Sequence, residues 1–255
     1  MTGPVTRVPP PRPAALVEGA GLTHAGRVRD ANEDAILTDP SGALWAVADG
    51  MGGYGHGEIA ADIVIDTLSR LPHGAPPALL VTALEAANAE VRRRAADGLG
   101  RMGATVVAAM VAAEAATIAW VGDSRAYRLS GGRLGRLTHD HSVVQELIDR
   151  GQLDPAAAEA DPRSHIVTRA IGADERLEVA LTATPLTPGD ALLLCSDGLS
   201  KCVPEAEIAT ILGAISGAEA APAEICAALV EAALHRGAPD NVSVIVVRAS
   251  GAGRR

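Results

Sequence analysis

The chain has no phenylalanine, two tryptophans and two tyrosines, so aromatic residues make up 2% of its 255 positions. A core with so few rings must be assembled mainly from Ala, Val, Leu and Ile, and stacking platforms of the kind that hold single-stranded nucleic acid are not expected. Lysine is nearly absent: Lys201 is the one lysine among 22 basic residues, the rest being arginine, and the formal net charge is −9. A negative chain without a basic patch offers no footprint for a phosphate backbone, which argues against nucleic acid as a partner. Cys195, Cys202 and Cys226 form no C-x-x-C pair and are too few for a disulfide framework, so a reducing compartment, the cytoplasm, is expected. No basic segment followed by an apolar one opens the chain, so no secretory signal is read. Nor is there a long hydrophobic run free of charge. Ala104 to Gly122 comes nearest, but Glu114 lies at its centre, where a charge costs roughly 2.5–3.5 kcal/mol in a bilayer. The β-branched Val106, Val107, Val111, Ile118 and Val121 around an Ala-rich middle instead predict two buried strands joined near Glu114.

What is present is a globular balance, 48% apolar and 21% charged, at a length that fits one domain. Residues 1–17, with Val8-Pro-Pro-Pro-Arg-Pro13, read as a flexible leader, 18–249 as the folded unit and 250–255 as a flexible tail. Strands are expected at 20–28, 34–39, 43–48, 104–112, 116–122, 125–130, 133–138, 177–184, 190–196 and 241–248. Apolar residues at helical spacing predict helices at 58–71 and 77–99, with further helices at 141–151, 204–213 and 222–236. Helices that arrive in pairs between antiparallel runs of strands point to packed antiparallel sheets covered by helices, an α+β fold.

Four aspartates share one context. Asp49 follows the strand Leu44 to Ala48, Asp123 follows Thr117 to Gly122, Asp197 follows Leu192 to Ser196, and Asp240 precedes the last strand. One such residue is a turn former, but four carboxylates at strand ends, two followed by glycine, suit a hard divalent cation that prefers oxygen ligands. Gly50-Met-Gly52-Gly53-Tyr-Gly55 matches a dinucleotide-binding pattern, but the next helix leads to another helix rather than to a parallel strand, so the loop fits a metal site better. There is no phosphate loop of the Walker type and no G-x-S-x-G elbow. Cys195 is followed at the sixth position by Lys201 instead of the Arg that a cysteine phosphatase uses, and its apolar surroundings make it a core residue. His139 and His141 alternate along an extended chain and read as structural or flap residues.

Arg29-x-x-Asn-Glu-Asp34, Asp49-Gly-Met-Gly-Gly53, Gly103-Ala-Thr105, Gly122-Asp-Ser-Arg125, Leu137-Thr-x-Asp-His-Ser142, Ile166-Val-Thr-Arg-Ala-Ile-Gly172, Ser196-Asp-Gly-Leu199 and Asp240-Asn241 stand in one order over nearly the whole chain. In that order they resemble the protein phosphatase 2C (PPM) family of metal-dependent Ser/Thr phosphatases, and Met51, where animal members usually have His, resembles the bacterial branch. The resemblance implies a four-layer αββα sandwich with a dinuclear Mn2+ or Mg2+ centre. Asp49 would bridge both ions, the Gly50 carbonyl, Asp197 and Asp240 would complete the ligands, and Glu33 and Asp34 would hold metal-bound waters. Arg29 would bind the substrate phosphate, Asp123 would hold a third, weaker ion, and residues about 141–168 would form a flap.

A pair of cations ~3.5–4 Å apart can supply a bridging hydroxide and neutralise charge on the phosphoryl oxygens without a covalent intermediate. With Met51 in place of His, the proton for the leaving serine must come from a metal-bound water or another group. The implied activity is hydrolysis of phosphoserine and phosphothreonine on phosphoproteins by a monomer that opposes a Ser/Thr protein kinase, with neither nucleic acid nor membrane as partner. Two other readings stand beside it: a silent phosphoprotein-binding module, against which the intact carboxylates at 49, 197 and 240 argue, and a hydrolase of small phosphomonoesters.

Overall fold

The computed structural model describes residues 16–52, 56–112, 114–158, 160–215 and 220–250. The expected leader up to residue 15, the end of the glycine loop at Gly53, Tyr54 and Gly55, and the last five residues lie outside them. Ten strands and six helices follow in the order β1 (Leu16–His24), β2 (Asp34–Thr38), β3 (Leu44–Gly52), α1 (His56–Ser69), α2 (Ala78–Arg94), β4 (Met102–Ala112), β5 (Ala115–Val121), β6 (Arg125–Ser130), β7 (Arg133–Arg136), α3 (Val143–Asp149), β8 (Ala180–Pro185), β9 (Ala191–Cys195), α4 (Asp197–Ser200), α5 (Glu205–Gly213), α6 (Pro222–His235) and β10 (Val242–Ser250). The span tested for membrane character is the antiparallel pair β4 and β5, and among the described residues no helix is long and apolar enough to cross a membrane.

Two five-stranded antiparallel sheets form, one in the order β1-β10-β9-β6-β7 and the other β2-β3-β4-β5-β8. Their central strands are buried on both faces, so they read as unbroken apolar runs whose alternate residues serve different layers. Leu44, Ala46 and Ala48 of β3 pack under α1 and α2, while Trp45 and Val47 face the opposite sheet. In the other sheet Leu193 and Cys195 of β9 face α5 and α6, while Leu192 and Leu194 face the seam. The result is the αββα sandwich that the motifs implied. The seam holds Trp45, Val107, Ile118, Trp120, Leu192, Ile245 and Val247, with small residues such as Ala109 and Ala126 between them.

Two boundaries differ from the sequence expectation in ways that shape the cleft. β1 covers 16–24 rather than 20–28, because the chain turns at Gly26 with φ +79° and Arg27 then donates its backbone N–H to the Ala238 carbonyl. β3 does not stop before Asp49. It continues through Gly52, since Asp49, Gly50 and Met51 pair with Thr105, Ala104 and Gly103 of β4.

Candidate metal centre

The strand ends of both sheets meet at one rim, around a cleft of about 540 Å³ lined by Arg29, Glu33, Asp49, Gly50, Asp123, Asp197 and Asp240 among others. Seven of the eight predicted site residues are thus brought together. The eighth, Asp34, lies opposite Asp49 in the β2–β3 ladder and is buried behind the cleft wall. From the segment 141–168, expected to form a flap, His165 and Val167 line the cleft.

Local packing explains why glycine stands at position 50. A Cβ there would collide with the backbone carbonyls of Gly57 and Glu33, so only a residue without a side chain lets the start of α1 close down on β3. The Gly50 N–H donates to the Glu33 carbonyl at 3.1 Å, tying the loop before β2 to the centre of the other ladder.

Asn241 organises the same loop. Its Nδ2 donates to the carbonyls of Ala25 and Ala31 at 3.0 and 2.9 Å, and its Oδ1 accepts the Glu33 N–H at 2.9 Å. Asn241 stands in the Asp240-Asn241 motif, and its place directly after Asp240 is the signal the sequence carries for this role. Truncation removes three hydrogen bonds from half-buried backbone groups, each worth ~0.5–1.5 kcal/mol. Asn241→Ala is therefore expected to lower the urea midpoint and, by freeing the loop that bears Arg29 and Glu33, to reduce turnover as well. A variant with unchanged melting and turnover would show that the loop holds itself.

A polar relay supports Asp34: Asn32 Nδ2 donates to Thr23 Oγ1 (2.8 Å), Thr23 Oγ1 to Ser243 Oγ (2.7 Å), and Ser243 Oγ to Asp34 Oδ2 (2.6 Å). The other oxygen, Asp34 Oδ1, is buried without a partner. Burial pushes this carboxyl up to about 7, against the hydroxyls of Ser243 and Ser196. Asp49 is raised well above the ordinary carboxylate range by its removal from water and by the charges of Asp197, Asp34, Asp123 and Asp240. Asp123 is pushed up to about 6 by burial and Asp197, with Lys201 opposing the shift.

The cleft's other carboxylates have cationic neighbours. Arg29 Nη2 lies 2.9 Å from Asp240 Oδ2, in a pair open to solvent. Lys201 Nζ lies 2.5 Å from Asp197 Oδ2 and 3.1 Å from Asp123 Oδ2. Among the described residues no three ligating side chains are gathered closely enough to hold an ion as they stand. The donor chemistry nevertheless fits hard cations. The carboxylates at positions 34 and 49 have no Arg or Lys partner among the described residues, one buried oxygen is unsatisfied, and no thiol lines the cleft.

His139 and His141 make structural contacts and Cys195 is a core residue, whereas His165, expected to be solvated or locally hydrogen-bonded, lines the cleft. His141 stacks on Trp120, with ring centroids 6.1 Å apart, and its Nδ1 accepts the Gly122 N–H. Burial and Arg169 hold it down at about 4, a neutral brace at the base of the flap. His139 reaches away to Asp149 at 2.8 Å. Burial pushes the Cys195 thiol up to about 12, which removes it as a nucleophile.

Fold and cleft together define an αββα protein whose cleft is lined by oxygen donors of the kind that hard divalent cations prefer. The chain belongs to the protein phosphatase 2C family, whose model matches residues 21–232. It is 36% identical over 241 residues to the serine/threonine protein phosphatase PstP of Mycobacterium tuberculosis, an alignment covering 92% of this chain and 45% of that protein, so the chain spans about half the length of this relative. It is 34% identical over 238 residues to the serine/threonine phosphatase Stp of Listeria innocua, covering 88% of this chain and 93% of that one. The solved catalytic domain of PstP in complex with two manganese ions superposes with a TM-score of 0.83 at 34% identity, covering 92% of this chain and 98% of that one.

Proposed function

We propose that the chain is a Mn2+- or Mg2+-dependent phosphatase that removes phosphate from phosphoserine and phosphothreonine in proteins, without a covalent intermediate, and so opposes a Ser/Thr kinase. The observation that supports this most is the convergence of Asp49, Asp197 and Asp240 from both sheets on one cleft, with Arg29 at its edge. Asp49, the Gly50 carbonyl, Asp197 and Asp240 would hold two cations, with Glu33 and Asp34 behind them. Bound there, the ions would activate the attacking water and neutralise the phosphoryl oxygens.

The chain's own groups do the rest. Arg29 presents a planar fork to the phosphate. Its exposed pair with Asp240 is of the kind worth ~0.2–1 kcal/mol, so the guanidinium can leave it for a substrate. His165 and Val167 line the cleft, where a bound phosphoester would meet them. Among the described residues no Ser, Cys or His of the cleft stands activated as a nucleophile, which supports direct attack by water.

The deciding experiment is phosphate release from a phosphothreonine peptide with Mn2+ and again with EDTA. Release that stops in EDTA and returns with Mn2+ is expected, and full activity in EDTA overturns the proposal. Cys195→Ser should retain turnover on the same peptide. Arg29→Ala is expected to raise KM more than it lowers kcat, because the fork meets the phosphate in the ground state. A pure kcat loss would place that contact in the transition state alone.

A further inference from the structure

Lys201 follows Asp197 by one helical turn, so the short helix α4 returns its side chain over the carboxylate that opens the helix. Its ammonium also reaches Asp123, which lies in the connection from β5 in one sheet to β6 in the other. Asp123 is held in place: its neighbour Ser124 shares a 2.7 Å hydroxyl hydrogen bond with Thr105 of β4, and its own side chain is 5% exposed. Lys201 is itself only 31% exposed, and its two short contacts engage one oxygen of each carboxylate.

The chemistry of the residue matters because this chain otherwise uses arginine for every basic position. A guanidinium is a wide planar fork, whereas an ammonium is a compact point charge with three donors. A space the size of an ion between two carboxylates accepts the second and not the first.

We propose that Lys201 serves as a built-in cation between Asp123 and Asp197, in the place where a further divalent ion would otherwise lie, so that the chain works with two divalent ions and its own ammonium. The proposal rests on reading the carboxylate cleft as a divalent-metal site. It reassigns Asp123, expected from the sequence to hold a third weak ion, as the partner of a side-chain charge. A further ion could enter only by displacing an ammonium paired with two carboxylates.

Equilibrium dialysis of the full chain against Mn2+ into the millimolar range tests this, with folding followed by thermal melting. Wild type is expected to saturate at two ions per chain. Lys201→Ala and the near-isosteric Lys201→Gln are expected to bind three, and Lys201→Ala combined with Asp123→Asn two again, which ties the added ion to Asp123. A third ion on wild type overturns the proposal, as does a count of two in both single variants. Should the variants fail to fold, the wild-type count alone still decides against it if it reaches three. A wild type that binds no Mn2+ removes the metal reading and this inference together, an outcome distinct from two ions in every variant.

Discussion

Asp49→Asn is expected to lower Mn2+-dependent phosphate release by on the order of 10³ or more, because it removes a charge on which both cations would depend. The same substitution should raise the melting temperature in EDTA. In the metal-free chain the Asp49 carboxylate is removed from water and faces Asp34, Asp123, Asp197 and Asp240, so replacing it with a neutral amide of the same shape relieves repulsion. Opposite signs for activity and stability are the mark of a group kept for chemistry at a cost in folding. Phosphate release and calorimetric melting on the same two proteins check both halves. A variant that keeps a tenth of the activity, or melts lower in EDTA, would falsify the assignment of Asp49 as the shared ligand.

The metal-free protein should also lose stability as pH rises, the reverse of the ordinary behaviour of carboxylates in ion pairs. Asp34 is raised from 3.8 to about 7 and Asp123 to about 6, so the folded chain binds these protons more tightly than the unfolded one. Their contribution is fully present below about pH 4 and is lost as pH rises through 6 and 7. For Asp34 alone the loss is on the order of 4 kcal/mol. Saturating Mn2+ should invert the slope, since cations bind the ionised carboxylates and release their protons. Urea melts at pH 5 and pH 8, with and without Mn2+, read out the effect. A metal-free midpoint that is higher at pH 8 than at pH 5 would contradict it.

How far the sequence reached depended on the range of the interaction concerned. The apolar, β-branched runs of β3, β4, β9 and β10 and the helical spacing of Leu80, Leu84, Ala87 and Val91 are local patterns, and they led to the right elements. The carboxylates were legible because each sits beside an apolar strand and within a recognisable motif. The continuation of β3 through Gly52 was not, since a glycine-rich stretch looks like a loop until β4 is there to pair with it. Asn241 and Ser243 act on partners more than 200 residues away, and nothing in their local composition announces it. Lys201 was not legible: no helix was expected between 197 and 203, so its return to Asp197 comes from α4 and its contact with Asp123 from the fold.

Because no strand is shared between the two sheets, their facing surfaces are joined by side-chain packing, with the chain itself crossing at connections such as β1 to β2 and β5 to β6, and the carboxylates gather at one end of that seam. The far end, near Leu44 and Ser250, has apolar packing; the near end, at Asp49 and Val242, has the carboxylates. A sandwich built this way opens like a book from its charged edge. Without divalent ions, amide protons of β3, β9 and β10 should exchange with deuterium progressively faster toward the cleft. With ions bound the gradient should flatten, the cations acting as a clasp across the open edge of the two leaves.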